Sequence, residues 1–183
     1  MSLDNAPGDM LLETDRLILR VHGAQHFDPY AEMSADPGTF RFSDRGPMTG
    51  DEAWTRLLRN VGHWSLLGYG LFAIEEKQSG RFVGEAGFCD FRRQLGERFD
   101  PYPEGAWAIA DWAQGRGYAT EAVLAALGWM EARRDVRRTV CLIHAGNEAS
   151  IRVARRLGYV SFDECIYKGY PALLFERRSA QRG

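Results

Sequence analysis

The sequence predicts a single α/β domain of mixed α+β character. Its centre is a mixed, mostly antiparallel sheet of about seven strands, flanked by about four helices. Three observations lead there. Short apolar, β-branched runs alternate with helix-period stretches, but two strands follow each other directly over 71–91. A strand, a glycine-bearing turn and a long helix succeed one another over 106–130. The helix leads to another apolar run, Thr139–Ile143, expected to lie parallel to the first because a helix joins them. Finally, 183 residues that are 45% hydrophobic and 26% charged suit one buried core, with no internal repeat or low-complexity stretch. The expected division is a flexible tail over 1–11 and one domain over 12–178.

Composition narrows the function. A net charge of −2 and a pI of about 6.1 argue against generic binding to nucleic acid or a membrane surface, which needs a basic excess. No run approaches the roughly 18 apolar residues of a membrane span, and no basic-then-apolar leader opens the chain, so a cytoplasmic protein is expected. Cys89, Cys141 and Cys165 are odd in number and widely spaced. They read as buried reduced thiols, not as a disulfide frame or a metal site.

In order along the chain, 12–20 reads as a first strand. Asp28 and Pro29 suit the N-cap and first position of a short helix through about Met33. A Pro/Gly/Asp-rich loop is expected over 36–50. Thr49-Gly50-Asp51-Glu52 is a capping box, and Ala53, Leu57, Val61 and Trp64 form the buried stripe of a second helix, stopped by Gly68. Leu71–Ile74 and 81–91 are strands of a hairpin turned by Gln78-Ser79-Gly80. A polar loop spans 92–103.

The central unit follows. Ala106–Ala110 is an apolar strand, Gln114–Ala119 a turn, and Ala119, Ala122, Val123, Ala126, Leu127 and Met130 mark one face of a long helix. The first amides of a helix lack intrahelical partners and sit at the positive end of the macrodipole. Gly115 and Gly117 remove the Cβ atoms that would keep a diphosphate from the backbone. The turn is not a P-loop, since no Lys-Ser or Lys-Thr follows the glycines, nor a dinucleotide fingerprint, since Thr120 stands where a third glycine or alanine is needed. Arg133–Arg138 reads as cations near a helix C-terminus. After Thr139–Ile143, Asn147 caps a helix through Leu157, stopped by Gly158, and two strands over 159–167 and 172–176 close the chain.

Gln114-x-x-Gly117-x-Ala119 resembles the Q/R-x-x-G-x-G/A signature of the GNAT superfamily of N-acyltransferases. His144–Ala154, ending in Leu157-Gly158-Tyr159, is similar to a second motif of that family. The opening Glu13-Thr14-Asp15-Arg16-Leu17-Ile18-Leu19-Arg20 resembles the branch that includes the ribosomal-protein N-terminal acetyltransferases. The resemblance covers about residues 12 to 176. It implies that the two parallel strands splay apart and that acetyl-CoA is the cosubstrate, with no metal.

By that resemblance, the backbone of Gln114, Gly115, Arg116, Gly117, Tyr118, Ala119 and Thr120 holds the pyrophosphate. Strand amides around Ala108, Ile109 and Ala110 meet the pantetheine arm, Asn147 lies along it, and Arg152 reaches the cofactor. The implied reaction moves an acetyl group directly to a primary amine in a ternary complex. The acceptor is a small molecule (an amino acid, polyamine or aminoglycoside) or a protein N-terminus. Such a transfer needs a proton acceptor, and a carboxylate is the usual one. Glu104 and Glu85 are the first candidates, Asp90 the third, with His144 a further option. Where many members carry a tyrosine facing the thiol, this chain has Ala154; Ser150 is the favoured replacement, ahead of Tyr159, Tyr167 and Tyr170. A domain that binds CoA without catalysis, and a nucleotide-phosphate enzyme using the same turn, are the alternatives.

Overall fold

The computed structural model describes residues 11–42 and 46–179. The expected tail lies outside the described residues except for Leu11, which opens the first strand. Thirteen elements follow: β1 (Leu11–Glu13), β2 (Leu17–Val21), α1 (Phe27–Ala35), α2 (Pro37–Phe40), α3 (Gly50–Leu67), β3 (Leu71–Glu76), β4 (Phe82–Cys89), β5 (Glu104–Ile109), α4 (Tyr118–Arg134), β6 (Arg138–His144), α5 (Glu148–Arg156), β7 (Val160–Tyr167) and β8 (Tyr170–Arg178). The strands form one sheet in the order β1-β2-β3-β4-β5-β6-β8-β7. Among the described residues, β5 and β6 alone are parallel neighbours.

Three local expectations change. The opening strand is a hairpin, β1 and β2, because Thr14 folds the chain: its amide donates to the Leu17 carbonyl and its hydroxyl accepts the Leu17 amide, each at 3.0 Å. Helix α1 starts one residue before Asp28, which lies in its first turn instead of capping it. The loop expected over 36–50 contains a one-turn helix, α2, because the Asp36 carboxylate accepts the amides of Gly38 and Thr39 while Pro37 takes the first helical position. Residues 43–45 of that loop lie outside the described residues.

The longer helices follow the sequence closely. The Thr49–Glu52 capping box starts α3, and Gly68 ends it in the left-handed region at φ 68°. Its buried stripe is Ala53, Leu57, Asn60 and Trp64, with the Trp64 indole donating to the Leu71 carbonyl at 2.9 Å. Helix α4 buries Ala122, Val123, Ala126, Leu127 and Met130 against the sheet, as its periodicity requires. Burying the larger of these side chains stabilises by about 1.5–3 kcal/mol each. No helix among the described residues is long and apolar enough to cross a membrane.

Register fixes which side chains share a face of the sheet. Cross-strand partners point the same way, so Glu85 with Ala108, Gly87 with Ala106, and Cys89 with Glu104 occupy one face of β4 and β5. There Ala108 packs beside the α1 and α3 residues Tyr30 and Leu57. On the other face Trp107 and Ile109 pack with the α4 cluster. The strands come close enough that a Cβ on Gly84 (φ 147°) would sit 2.1 Å from the Ala108 carbonyl oxygen.

Candidate active site

Between β5 and β6 the sheet is joined at a single register position, Glu104 with Val140, where the Val140 amide donates to the Pro103 carbonyl at 3.1 Å. Beyond it no ladder pairs the strands. A cleft of about 780 Å³ opens there, lined by Trp107, Ala108 and Ile109 on one side and Leu142, Ile143 and His144 on the other.

Alternation decides which amides face this opening. The Ala110 amide donates to the Val83 carbonyl at 2.9 Å, so it is bound into the β4 ladder and is not free as expected. The same parity turns the Ala108 backbone towards β4, where its carbonyl lies against Gly84. The amides directed at the cleft are therefore those of Trp107 and Ile109. The Ile109 carbonyl points the same way and accepts the Gln114 side chain at 3.1 Å.

Below the cleft the turn into α4 runs through Gly115 (φ 75°) and Gly117 (φ 83°), both in the left-handed region. No side chain caps the α4 N-terminus, and its first ladder bond runs from the Glu121 amide to the Gly117 carbonyl at 3.1 Å. The amides of Tyr118, Ala119 and Thr120 thus have no partner within the helix. Gly115, Gly117, Tyr118, Ala119 and Thr120 line the cleft. A Cβ on Gly115 would meet nothing within 4 Å. The side chains of Arg116 and Tyr118 leave the site: both reach Glu76 at the end of β3, Arg116 at 3.4 Å and Tyr118 through its hydroxyl. Their part in the turn is confined to the backbone.

Helix α5 forms the opposite wall. The Asn147 carboxamide oxygen accepts the Ser150 amide at 3.1 Å, the N-cap that its position predicted, a bond that stabilises a helix by about 1 kcal/mol. The Ser150 hydroxyl accepts from the Trp107 indole at 3.2 Å and lines the cleft, as does Arg152. Ala154 is fully buried in the core beside Ile151 and Leu157, so this position faces the core.

On the face with α3, the two candidate carboxylates part company. Glu104 lines the cleft but is only 3% exposed, and Arg93 grips both its oxygens, Nε to Oε2 at 2.5 Å and a terminal nitrogen to Oε1 at 2.7 Å. Burial pushes its carboxyl up, against the hydrogen bonds and charge of Arg93. Glu85, 1% exposed, does not line the cleft. Burial alone would raise its pKa, but Arg56 at 3.1 Å and His22 at 3.4 Å reverse the sign and hold it at about 2. Asn60 donates to it at 2.8 Å. Glu85 is a buried anion that ties α3 to β4.

The remaining candidates divide similarly. Asp90 is turned to Arg92 at 2.8 Å, away from the cleft lining. His144 lines it, stacked on Tyr170 at 5.1 Å, but its Nδ1 already accepts the Gly146 amide at 2.9 Å. Taking up a proton there breaks that bond. Tyr159 is buried beneath Gly105 and shares a hydrogen bond of 2.7 Å with Thr139. Tyr167 lines the cleft with the Arg93 guanidinium 5.0 Å over its ring. Sequence reading missed Arg56, Arg59 and Arg93, which also line the cleft. Arg56 and Arg59 are three apart on α3, a spacing that on its own describes any solvated helix face.

A family profile described as Acetyltransferase (GNAT) domain matches residues 16–160. The chain belongs to the GNAT family. It is similar to an uncharacterized protein, YkkB, of Bacillus subtilis (strain 168), 33% identical over 132 residues that cover 70% of this chain and 74% of that one. Among solved structures it is similar to a GNAT-family acetyltransferase from Bordetella pertussis, at 36% identity and a TM-score of 0.82, covering 92% of this chain and 99% of the other. Ribosomal-protein acetyltransferases share the GNAT fold. RimL, a ribosomal L7/L12 alpha-N-protein acetyltransferase in complex with coenzyme A, aligns at 18% identity and a TM-score of 0.71 over 92% of this chain and 98% of its own. The backbone donors of Trp107, Ile109 and 118–120, with open space at Gly115, fit such a molecule: a long polar arm ending in phosphates.

Proposed function

We propose that this protein transfers the acetyl group of acetyl-CoA to a primary amine by direct attack within a ternary complex. The observation that carries the reading is the unpaired opening between β5 and β6, which leads from the α4 N-terminus to the Trp107–Ser150 contact. Acetyl-CoA supplies the activated thioester. The turn at 114–120 offers amides and a positive helix end to its phosphates. The Trp107 and Ile109 amides hold the arm in extended form, and one of them donates to the acetyl oxygen as negative charge builds there.

Ser150 accepts from the Trp107 indole, which leaves its own proton free to meet the departing sulfur. Glu104 is the carboxylate on the cleft wall and takes the amine proton, directly or through water, because burial raises its affinity for one. Holding both reactants in the cleft supplies much of the rate by removing the entropic cost of their encounter.

Titration with acetyl-CoA, followed by measurement of thiol release with a panel of primary amines, tests the reading. Saturable binding and amine-dependent release are expected. Binding without release from any amine would favour a CoA-binding domain without catalysis, the second reading, for which the buried Ala154 in place of a tyrosine is the supporting observation.

A further inference from the structure

The cleft extends onto the α3 face of the sheet, where Thr55, Arg56 and Arg59 line it. Its floor there is formed by the small side chains of Ala106 and Ala108, which share the face of Glu104 on β5. Its wall carries three guanidinium groups, from Arg56, Arg59 and Arg93. Two are matched: Arg56 by Glu85 at 3.1 Å and Arg93 by Glu104 at 2.5 Å. Arg59 makes no ion pair among the described residues. Its guanidinium lies 5.7 Å from the centre of the Phe91 ring, whose surroundings it shares with Arg93 at 4.8 Å. The two other acids on the rim, Asp51 and Glu52, are turned to Thr49 at the start of α3. Arg59 thus stands on this wall between two paired guanidinium groups without an ion pair of its own among the described residues.

We infer that the acceptor amine carries a carboxylate, which Arg59 binds with Arg56 beside it. This rests on the reading of the cleft as an acetyl-transfer site and names its acceptor class. Burial and the neighbouring Arg56 pull the Arg59 pKa down while Glu85 pulls it part of the way back, so an anion placed between the two guanidinium groups relieves the repulsion that remains. A guanidinium fork matches the two oxygens of a carboxylate in its own plane. Arg56 is itself fixed by Glu85, so its geometry is set before the acceptor arrives. A polyamine or aminoglycoside, wholly cationic, meets repulsion in the same place.

The test uses matched pairs: glycine, alanine, phenylalanine and glutamate, each as free acid and as carboxamide. A second arm uses short peptides with Glu or Gln as the second residue, which separates a free amino acid from an acidic N-terminus as the source of the carboxylate. Acetylation rates are measured for each, together with calorimetric binding of the N-acetylated products to the protein saturated with CoA. The free acid, or the Glu peptide, is expected to exceed its neutral partner by roughly ten- to hundredfold in kcat/KM and in product affinity. Arg59→Ala should collapse that ratio towards one while the Kd for CoA stays the same, and Arg59→Lys should restore part of it. Equal use of acid and amide, or a preference that survives Arg59→Ala, overturns the inference and leaves acetyl transfer standing. Failure to bind CoA at all removes the acetyl-transfer reading and this inference with it.

Discussion

The indole of Trp107 donates to the hydroxyl of Ser150 across 3.2 Å, linking β5 to the first turn of α5 over the gap where the strands part. Two residues far apart in sequence are thereby held together over the opening between β5 and β6. The hydroxyl oxygen accepts the indole proton and its own proton is free to donate elsewhere. Ser150→Ala is expected to lower kcat several-fold with little change in the Kd for acetyl-CoA, because the lost interaction matters most when charge builds on sulfur. Trp107→Phe keeps the ring and removes the donor, so it should reproduce part of the same kcat loss. A parallel loss of binding in Ser150→Ala makes the serine a helix or cofactor contact instead.

Gly117 has a backbone angle that side chains rarely adopt, and a Cβ there would lie 3.5 Å from Arg16. Gly117→Val is expected to weaken acetyl-CoA binding by roughly tenfold or more and also to lower Tm, since a β-branched residue is strained in this region. Gly117→Asn separates the effects. Asparagine tolerates the left-handed region, so Tm should stay close to that of the parent while binding still weakens. Unchanged affinity in the folded Asn variant rules out the phosphate assignment.

For Glu104, replacement by Gln keeps size and hydrogen bonding but removes basicity. The kcat/KM should fall by about 10²-fold, and the acidic limb of its pH profile should disappear. The bond to Arg93 adds a control. Arg93→Met strands a buried carboxylate and should cost stability by about 3–5 kcal/mol, measured by denaturant titration. Full activity and an intact acidic limb in Glu104→Gln would assign the proton to solvent and leave catalysis to positioning.

Glu85, buried and paired with Arg56, is expected to contribute to acid stability. Its folded pKa of about 2 lies below the ordinary value of 4.5, so the stability it contributes is complete above 4.5 and is lost as pH falls towards 2. Urea midpoints measured across that window should drop steeply for the parent. Glu85→Gln should be less stable at neutral pH, because Arg56 loses its partner, and should show a shallower decline through the same window. An identical slope in both proteins moves the acid sensitivity to other carboxylates.

What the sequence disclosed was the part of the fold written in local chemistry. The capping box of α3, the Asn147 cap of α5 and the glycine turn before α4 depend on neighbours within a few residues, and each stands where it was expected. The hairpin of β1 and β2 escaped notice because its turn, in the polar stretch Glu13-Thr14-Asp15-Arg16, carries no glycine or proline and depends on the side chain of Thr14. Helix α2 is too short to show a period. The choice between Ala108 and its neighbours as cleft-facing amides hangs on the bond from Ala110 to Val83, a cross-strand register that no single strand reveals. The sign of the Glu85 shift was hidden for the same reason: Arg56 and His22 reach it from other elements.

The opening between β5 and β6 is made by leaving strands unjoined, not by carving space with particular side chains. Its donors are peptide groups, which every residue but proline carries alike. Substitution can therefore travel far along these two strands without touching what the gap presents, provided the single rung at Glu104 and Val140 and the glycine turn endure. The walls of the cleft, by contrast, are side chains, and each substitution there changes what the opening meets.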